Sequence, residues 1–412
     1  MPESLKLAVL GGSSIASPQL VEVLARRTDR PSMLVTLIGR TEAKLERVAA
    51  LCTRLAERAR VPLAVNATTN AARGLEGSRY ILNQVRVGGY EARARDETFP
   101  HAFGVPGEET VGPGGLANAL RSIPVVLDYC RLLEKWAPES LLINLTNPNS
   151  FIQYAALTYT RVQALGVCDS PIGLAQSVAR LLGAAMEDVW VGYVGMHHFG
   201  WVTQVRWKGR EVMPEVLARL EAAPGLPVEA DLLRAIGAIP TSYLKYFYHP
   251  NRMLDAQRGS TARAEQLARL EAQVFSDYGD ARLNHLPPSL EARGAHWYQD
   301  IVVPVLLAHF NNSRTTFVLN LANGTVIPWL PPQAIVELPA VVTSHGFYPL
   351  QPASAPPDVQ AMLRMNAAME MLWVEAVVER SREKALRAMM LNPLVRDVDQ
   401  ARGILDHIWP TK

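Results

Sequence analysis

The first 170 residues alternate short apolar runs with stretches of helical periodicity, and this alternation restricts the possible folds more than any other feature. "LKLAVLGG" (Leu5 to Gly12) is an apolar run that ends in glycines. "SPQLVEVLARR" follows, with Ser17 placed as an N-cap and Pro18 in the first helical turn. "MLVTLIG" (Met33 to Gly39) is a second buried-strand pattern, and "TEAKLERVAALCTRLAERA" reads as an amphipathic helix. Further strand-like runs are "RYILNQV" (Arg79 to Val85), "SLLINLT" (Ser140 to Thr146) and "ALGVCD" (Ala164 to Asp169). Helical stretches lie between most of them, including "GLANALRSIPVVLDYCRLLEKW". Strands separated by helices predict an α/β fold, a Rossmann-like doubly wound parallel sheet covered on both faces. Ligands of such sheets sit at the carboxyl ends of the strands.

Past about residue 170 the pattern changes. "VWVGYVGMHHFGWVTQVRWKG" reads as a pair of longer strands. Several helical segments follow, then a strand-like region from Thr315 to Val342 and a long helix pattern from Pro357 to about Met390. This part predicts a second α+β lobe that closes over the first. At 412 residues the chain also exceeds the usual size of one hydrophobic core. The expected division is a dinucleotide-binding domain over residues 1–170 and an α+β domain over residues 171–412.

Charge narrows the partners. The 41 basic and 39 acidic side chains leave a formal net charge of +2, which gives no reason to expect nucleic acid or an anionic membrane. No run of about 18 apolar residues suggests a membrane span. "MPESLKLAVLGG" enters a strand-like pattern with no apolar signal region. The expected partner is a small molecule and the expected location the cytoplasm. Cys52, Cys130 and Cys168 are too few and too scattered for a disulfide framework, which suits a reducing compartment.

Gly11 and Gly12 end the first strand and precede a helix, where small residues let a pyrophosphate approach the backbone. Ser13 and Ser14 follow, so the full G-x-G-x-x-G fingerprint is absent, and a plain strand-to-helix turn is the competing reading. After the second strand an acid would hold the ribose 2′-hydroxyl of NAD, yet the chain has Gly39 and then Arg40. Arg40 either admits a 2′-phosphate, which makes NADP an option, or is an ordinary surface residue. Cys168 ends the run Ala164 to Asp169, on the crevice side, and "GMHHFGWV" brings His197 and His198 later in the chain. A thiolate and an imidazole that converged there would make half of a divalent-metal site. Spacing alone leaves two bland readings open, a core cysteine and a strand with one histidine out and one packed.

These segments, taken together, resemble glycoside hydrolase family 4, the NAD- and metal-dependent glycosidases, over nearly the whole chain. The resemblance is carried by "LGGSSIASPQLV", "NQVRVGGYEARARDE", "GVPGEETVGPGGLANALRSIPVV", "NLTNPNSFI", "GVCDSPIG", "GMHHFGWV", "ARGAHWYQD" and "LNPLV". It implies that Cys168 and His198 bind a divalent metal, usually manganese. His197 stands where the family commonly has Asn, a departure that alters sugar contacts or offers a competing ligand. The resemblance further implies NAD as cofactor and adds Asn147 to the residues expected to hold it, beside Gly11, Gly12, Ser13, Ser14 and Arg40 read from the loop and strand ends. The mechanism it implies is oxidation at C3, proton abstraction at C2, elimination at C1, water addition and re-reduction, an exception to two-carboxylate glycoside hydrolysis.

In that frame Tyr298 of "RGAHWYQD" is the base, and a phenol needs a nearby cation or the metal to act as one. Asp169 matches the general acid of the 6-phospho-α-glucosidases, whereas "VRVGGYEARARDE" and "AIPTSYLKYFY" are similar to the phospho-β branch. The longer segments favour β-linked 6-phospho-glucosides. Arg86 and Asn147 match positions that touch sugar or nicotinamide, and Glu109 and Thr110 belong to the crevice loop. Arg293 and Arg95 are the candidate phosphate cations. The family also implies a homodimer or homotetramer. Competing readings are a glycosidase of an unphosphorylated sugar or uronic acid, and a catalytically silent dinucleotide-binding sensor.

Overall fold

The computed structural model describes residues 4–222 and 228–410. Its strands, in chain order, are β1 (Leu5–Leu10), β2 (Met33–Ile38), β3 (Leu63–Thr68), β4 (Tyr80–Asn83), β5 (Leu141–Asn144) and β6 (Gln163–Gly166). After these come β7 (Val189–Met196), β8 (Phe199–Trp207), β9 (Arg210–Glu211), β10 (Ile239–Pro240), β11 (Thr315–Ala322), β12 (Ile335–Thr343) and β13 (Gly346–Pro349). The first six pair in parallel in the order β3-β2-β1-β4-β5-β6, the doubly wound arrangement expected from the alternation. The strand order reverses between β1 and β4, so their carboxyl ends diverge and leave a crevice there.

The parallel strands form because nearly every residue in them can be buried. Leu7 and Val9 of β1 face one apolar core with the helices Ser17–Arg26 and Glu42–Ala59. Ala8 and Leu10 face a second core with the helices Gly112–Trp136 and Pro357–Glu379. Full burial of each Leu or Val side chain contributes about 1.5–3 kcal/mol, and alternation of side chains shares this gain between both faces. β3 was not legible as a strand. It lies at the sheet edge, and most of its residues are partly or fully exposed, so it carries no continuous apolar run.

The sheet continues beyond β6 in antiparallel fashion. β11 pairs with β6 through Asn320 and Gly166, β12 pairs with β11, and β7 meets β12 at Gly195 and Glu337. β7 and β8 then form the hairpin expected from "VWVGYVGMHHFGWVTQVRWKG". The two histidines are not strand residues, because Met196 pairs with Phe199 and leaves His197 and His198 as the turn. His198 takes a positive φ of 61°, a region histidine visits more readily than most side chains.

Two local expectations are corrected. The helix after the glycines starts at Ser17 itself, with Ala16 at the cap and no side-chain capping bond. The Ser17 hydroxyl instead accepts from Gln84. The long C-terminal helix is two helices, Pro357–Glu379 and Arg382–Met390, broken where Arg380 turns left-handed at φ 55°. Among the described residues, no helix is long and apolar enough to cross a membrane.

Candidate active site

A cavity of about 670 Å³ opens at the carboxyl ends of β1, β2, β4, β5 and β6. Its glycine end is built by backbone. Gly11 has φ 81°, and a Cβ there would lie 2.8 Å from the Gln84 carbonyl oxygen across the β1/β4 crevice. A Cβ on Gly12 would lie 2.7 Å from the Ile38 nitrogen, so only glycine lets the loop fold against β2. Gly11, Ser13, Ser14, Gly39 and Arg40 line the cavity, whereas Gly12 lies behind the loop and shapes it. This cradle, which any Cβ would fill, fits a dinucleotide at the place where doubly wound sheets bind one. Arg40 is exposed and pairs with no carboxylate among the described residues.

The opposite end is built by side chains that are themselves largely buried. Cys168 lies in the short connection between β6 and the helix Ser170–Leu182, just before its N-cap Asp169. The Ser170 backbone N–H donates to its Sγ at 3.4 Å. The hairpin turn carries His197 and His198 to the same spot, and their donor nitrogens and the Cys168 sulfur lie within 4.8 Å of one another. Burial pushes the thiol well above its ordinary range, with Glu337 and Asp169 adding to the effect, and pushes both imidazoles well down. Both histidines are therefore neutral and offer lone pairs, and a bound dication reverses the bias on the thiol. Sulfur and imidazole nitrogen in this cluster suit a divalent transition metal.

The surroundings orient His198. Its Nδ1 meets Thr110 Oγ1 at 2.8 Å, and that hydroxyl donates onward to Glu108. Thr110 therefore accepts from Nδ1–H, which leaves Nε2 as the free donor atom. Tyr243 stacks on the other side of the ring at 3.5 Å. Thr110 does not line the cavity. Its part in the geometry is this hydrogen bond, which the crevice-loop expectation had missed.

Tyr298 enters from the far side of the chain. It begins a π-helical turn, Tyr298–Val302, not an ordinary amphipathic helix, and such turns recur at functional sites. Its hydroxyl donates to Gln84 Oε1 at 2.6 Å, and Gln84 Nε2 donates to the Gly11 carbonyl at 3.3 Å. One side chain thus ties the phenol to the glycine loop. Gln84 sits inside the "NQVRVGG" segment, but nothing in its residue type marked it as a link. Burial raises the Tyr298 phenol well above its usual value, while Trp297, Arg293 and Gln84 pull it down.

Asp169 lines the cavity beside Cys168, and burial raises its carboxyl above the ordinary value, with Asp300 adding to the shift. Asn147, Arg86, Glu109 and Arg293 also line the cavity. Glu109 is gripped by Arg86 and, at 2.8 Å, by Arg93, so burial fails to neutralise it and its net shift is downward. Arg293 packs on the Trp297 ring at 4.8 Å and has no carboxylate partner among the described residues. Arg95 does not line the cavity. It pairs with exposed Glu91 at 2.6 Å, so it drops out as a phosphate cation.

Comparison with known proteins places the chain. A family model described as family 4 glycosyl hydrolase matches residues 6–184, and its C-terminal domain model matches residues 193–395. A probable 6-phospho-beta-glucosidase of Bacillus subtilis is 32% identical over 426 residues, which cover 99% of this chain and 96% of that protein. The structure of the 6-phospho-beta glucosidase from Thermotoga maritima with manganese, NAD+ and glucose-6-phosphate is similar at a TM-score of 0.91 and 26% identity. That likeness covers 98% of this chain and 97% of the other. Cryptosporidium parvum malate dehydrogenase shares the doubly wound fold at a TM-score of 0.56 and 13% identity, covering 92% of this chain and 100% of that one.

Proposed function

The chain belongs to glycosyl hydrolase family 4, and on that premise we propose that it hydrolyses 6-phospho-β-glucosides with NAD and a divalent metal. The observation that carries the reading is the convergence of the glycine loop, Cys168, His198, Asp169 and Tyr298 on one cavity. When bound, the dinucleotide supplies a hydride acceptor for C3 and the metal supplies Lewis acidity that makes the C2 proton removable. Gly11, Ser13, Ser14, Arg40 and Asn147 would hold the dinucleotide, with Gly12 shaping the loop, and Cys168 and His198 would hold the metal.

The remaining work falls to the other side chains. Tyr298 is the base for the C2 proton. Its hydrogen bond to Gln84 aims the oxygen, and Arg293 offsets the cost of ionising a buried phenol. Asp169 is the acid that protonates the leaving group, and its raised pKa suits that role. Arg293, in no ion pair among the described residues, is the cation for the substrate phosphate, while Arg86, Glu109 and Asn147 contact sugar or nicotinamide. The exposed Arg40 supports NADP as an alternative dinucleotide. Asp169 is also the feature that favours a second reading, a 6-phospho-α-glucosidase with the same residues in the same roles.

The same reading expects a boundary near residue 170, a cytoplasmic location and a homodimer or homotetramer, the last measurable by light scattering. The deciding experiment is p-nitrophenol release from both anomers of p-nitrophenyl glucoside 6-phosphate, with Mn²⁺, NAD and a reductant omitted in turn. Release from the β anomer that needs metal and dinucleotide is expected. Release from the α anomer moves the chain to the other branch. Silence on both, with metal and dinucleotide bound, points to an unphosphorylated sugar or uronic acid, and silence with dinucleotide but no metal bound points to the dinucleotide-binding sensor.

A further inference from the structure

We infer that His197 is a third protein ligand of the metal site, which raises its affinity for borderline divalent ions such as Zn²⁺ and Co²⁺ above what Cys168 and His198 alone would give. The inference rests on the reading of Cys168 and His198 as ligands given above. It starts from the turn between β7 and β8. Because Met196 pairs with Phe199, His197 and His198 are the two tip residues, and the positive φ of His198 swings its side chain to the side occupied by His197. The rings stack at 3.7 Å between centroids and 24° between planes. Imidazoles stacked this way present nitrogens side by side, and the Cys168 sulfur lies within 4.8 Å of both donor atoms.

The partners of the two rings differ. His198 spends its Nδ1 on Thr110, which leaves one nitrogen for a metal. His197 is 6% exposed, yet no described residue hydrogen-bonds to either of its ring nitrogens. The ring nitrogens are not sealed off from the cavity that His197 lines, so an ion at the cluster can reach one of them without displacing a protein partner. The ring is also held in place, since it lies against His198, which Tyr243 backs from the far side.

The donor chemistry sets the preference. One thiolate and two neutral imidazoles are the ligand types that favour zinc and cobalt, while Mn²⁺ is better served by oxygen. Three protein ligands also leave an open position at which a sugar oxygen can enter. With His197 absent, only one sulfur and one nitrogen would bind, and oxygen ligands from water or sugar would fill the other positions. His197 therefore raises the site's affinity for the borderline ions.

The test uses the full chain stripped of metal with a chelator, then titrated with Co²⁺ by absorbance and with Zn²⁺ and Mn²⁺ against a chromophoric chelator. Wild type, His197→Asn, His197→Gln and Cys168→Ser are compared, with thermal melts of the metal-free proteins to check folding. Wild type is expected to bind one ion and to show sulfur-to-cobalt charge transfer. His197→Asn should keep the charge transfer but weaken the d–d bands. It should lose Zn²⁺ affinity by no less than the roughly 10–100-fold that an outer-shell partner costs, with little change for Mn²⁺. Wild-type Zn²⁺ affinity and d–d bands in both His197 variants overturn the inference alone. Metal binding that is absent in wild type, or that survives in Cys168→Ser, overturns the site reading and the inference with it.

Discussion

The two ends of the cavity are made by opposite means. The glycine end is backbone and small side chains, with Gly11, Ser13, Ser14 and exposed Arg40 facing the opening. The metal end is side-chain chemistry on largely buried residues, with Cys168 4%, His198 3% and Tyr298 1% exposed. One end selects by shape, so any added atom damages it. The other selects by donor type and proton position, so a change of a single functional group damages it while leaving the shape intact. The ends are joined through Gln84, which touches both Tyr298 and Gly11.

The sharpest break in this contrast is Tyr298→Phe. It removes one oxygen from the side-chain end, and turnover should fall by about 10²–10⁴, the usual yield of general base catalysis. Metal content and dinucleotide affinity should stay near wild type. Parallel loss of dinucleotide binding would mean that the Gln84 link, not proton transfer, is what the hydroxyl serves.

Gly12→Ala tests the shape end. The new Cβ meets backbone at 2.7 Å, which cannot swing aside as a side chain would. Overpacking of this kind costs about 1–3 kcal/mol. Calorimetric dinucleotide titration should show strongly weakened binding and a thermal melt a lower midpoint, with the Co²⁺ spectrum of the other end unchanged. A variant that binds dinucleotide normally would show that the loop can move away from β2.

Glu370→Gln probes how dry the side-chain wall is. Glu370 lies in the wall behind His197, and burial lifts its pKa from 4.5 to about 8, against the hydrogen bonds from Ser150 and Asn366. The folded protein keeps a proton that the unfolded chain releases above pH 4.5. Its stability contribution is therefore whole below pH 4.5 and is lost as pH rises through about 8. The loss is at most about 1.4 kcal/mol per pH unit. Denaturation of wild type across that range should show falling stability, and the glutamine variant a shallower slope. Equal slopes would mean that water reaches the carboxyl.

The smallest effect belongs to Arg40→Ala. An exposed cation on a 2′-phosphate contributes about 1 kcal/mol or less. NADP affinity should drop by up to about fivefold while NAD affinity holds. Equal affinities in both proteins would remove Arg40 from dinucleotide choice and leave the glycine end purely a matter of shape.

Much of the fold was legible because β1, β2, β4, β5 and β6 are largely buried on both faces and therefore read as mostly apolar runs. β3 escaped because an edge strand needs no such run. The antiparallel extension escaped for another reason. Asn320 pairs with Gly166 and Glu337 with Gly195, contacts between segments far apart in the chain, which no local pattern encodes. Arg95 and Arg293 show the same limit at the site. The two arginines look alike in sequence, and only packing sets one beside Glu91 in solvent and the other against Trp297 in the cavity.

By itself the sequence determined the alternation of strands and helices, the glycines that permit a close approach at the β1/β4 crevice, and the residue types of the family. These follow from local periodicity and from the absence of a Cβ, both properties of single residues and their near neighbours. Only the tertiary structure decided that His197 sits in a turn beside His198, that Thr110 orients His198, and that Gln84 links Tyr298 to Gly11. Those arrangements depend on which side chains are sealed from water together. That is a property of the packed chain, since hydrogen-bond direction and donor convergence arise only once distant segments share one dry volume.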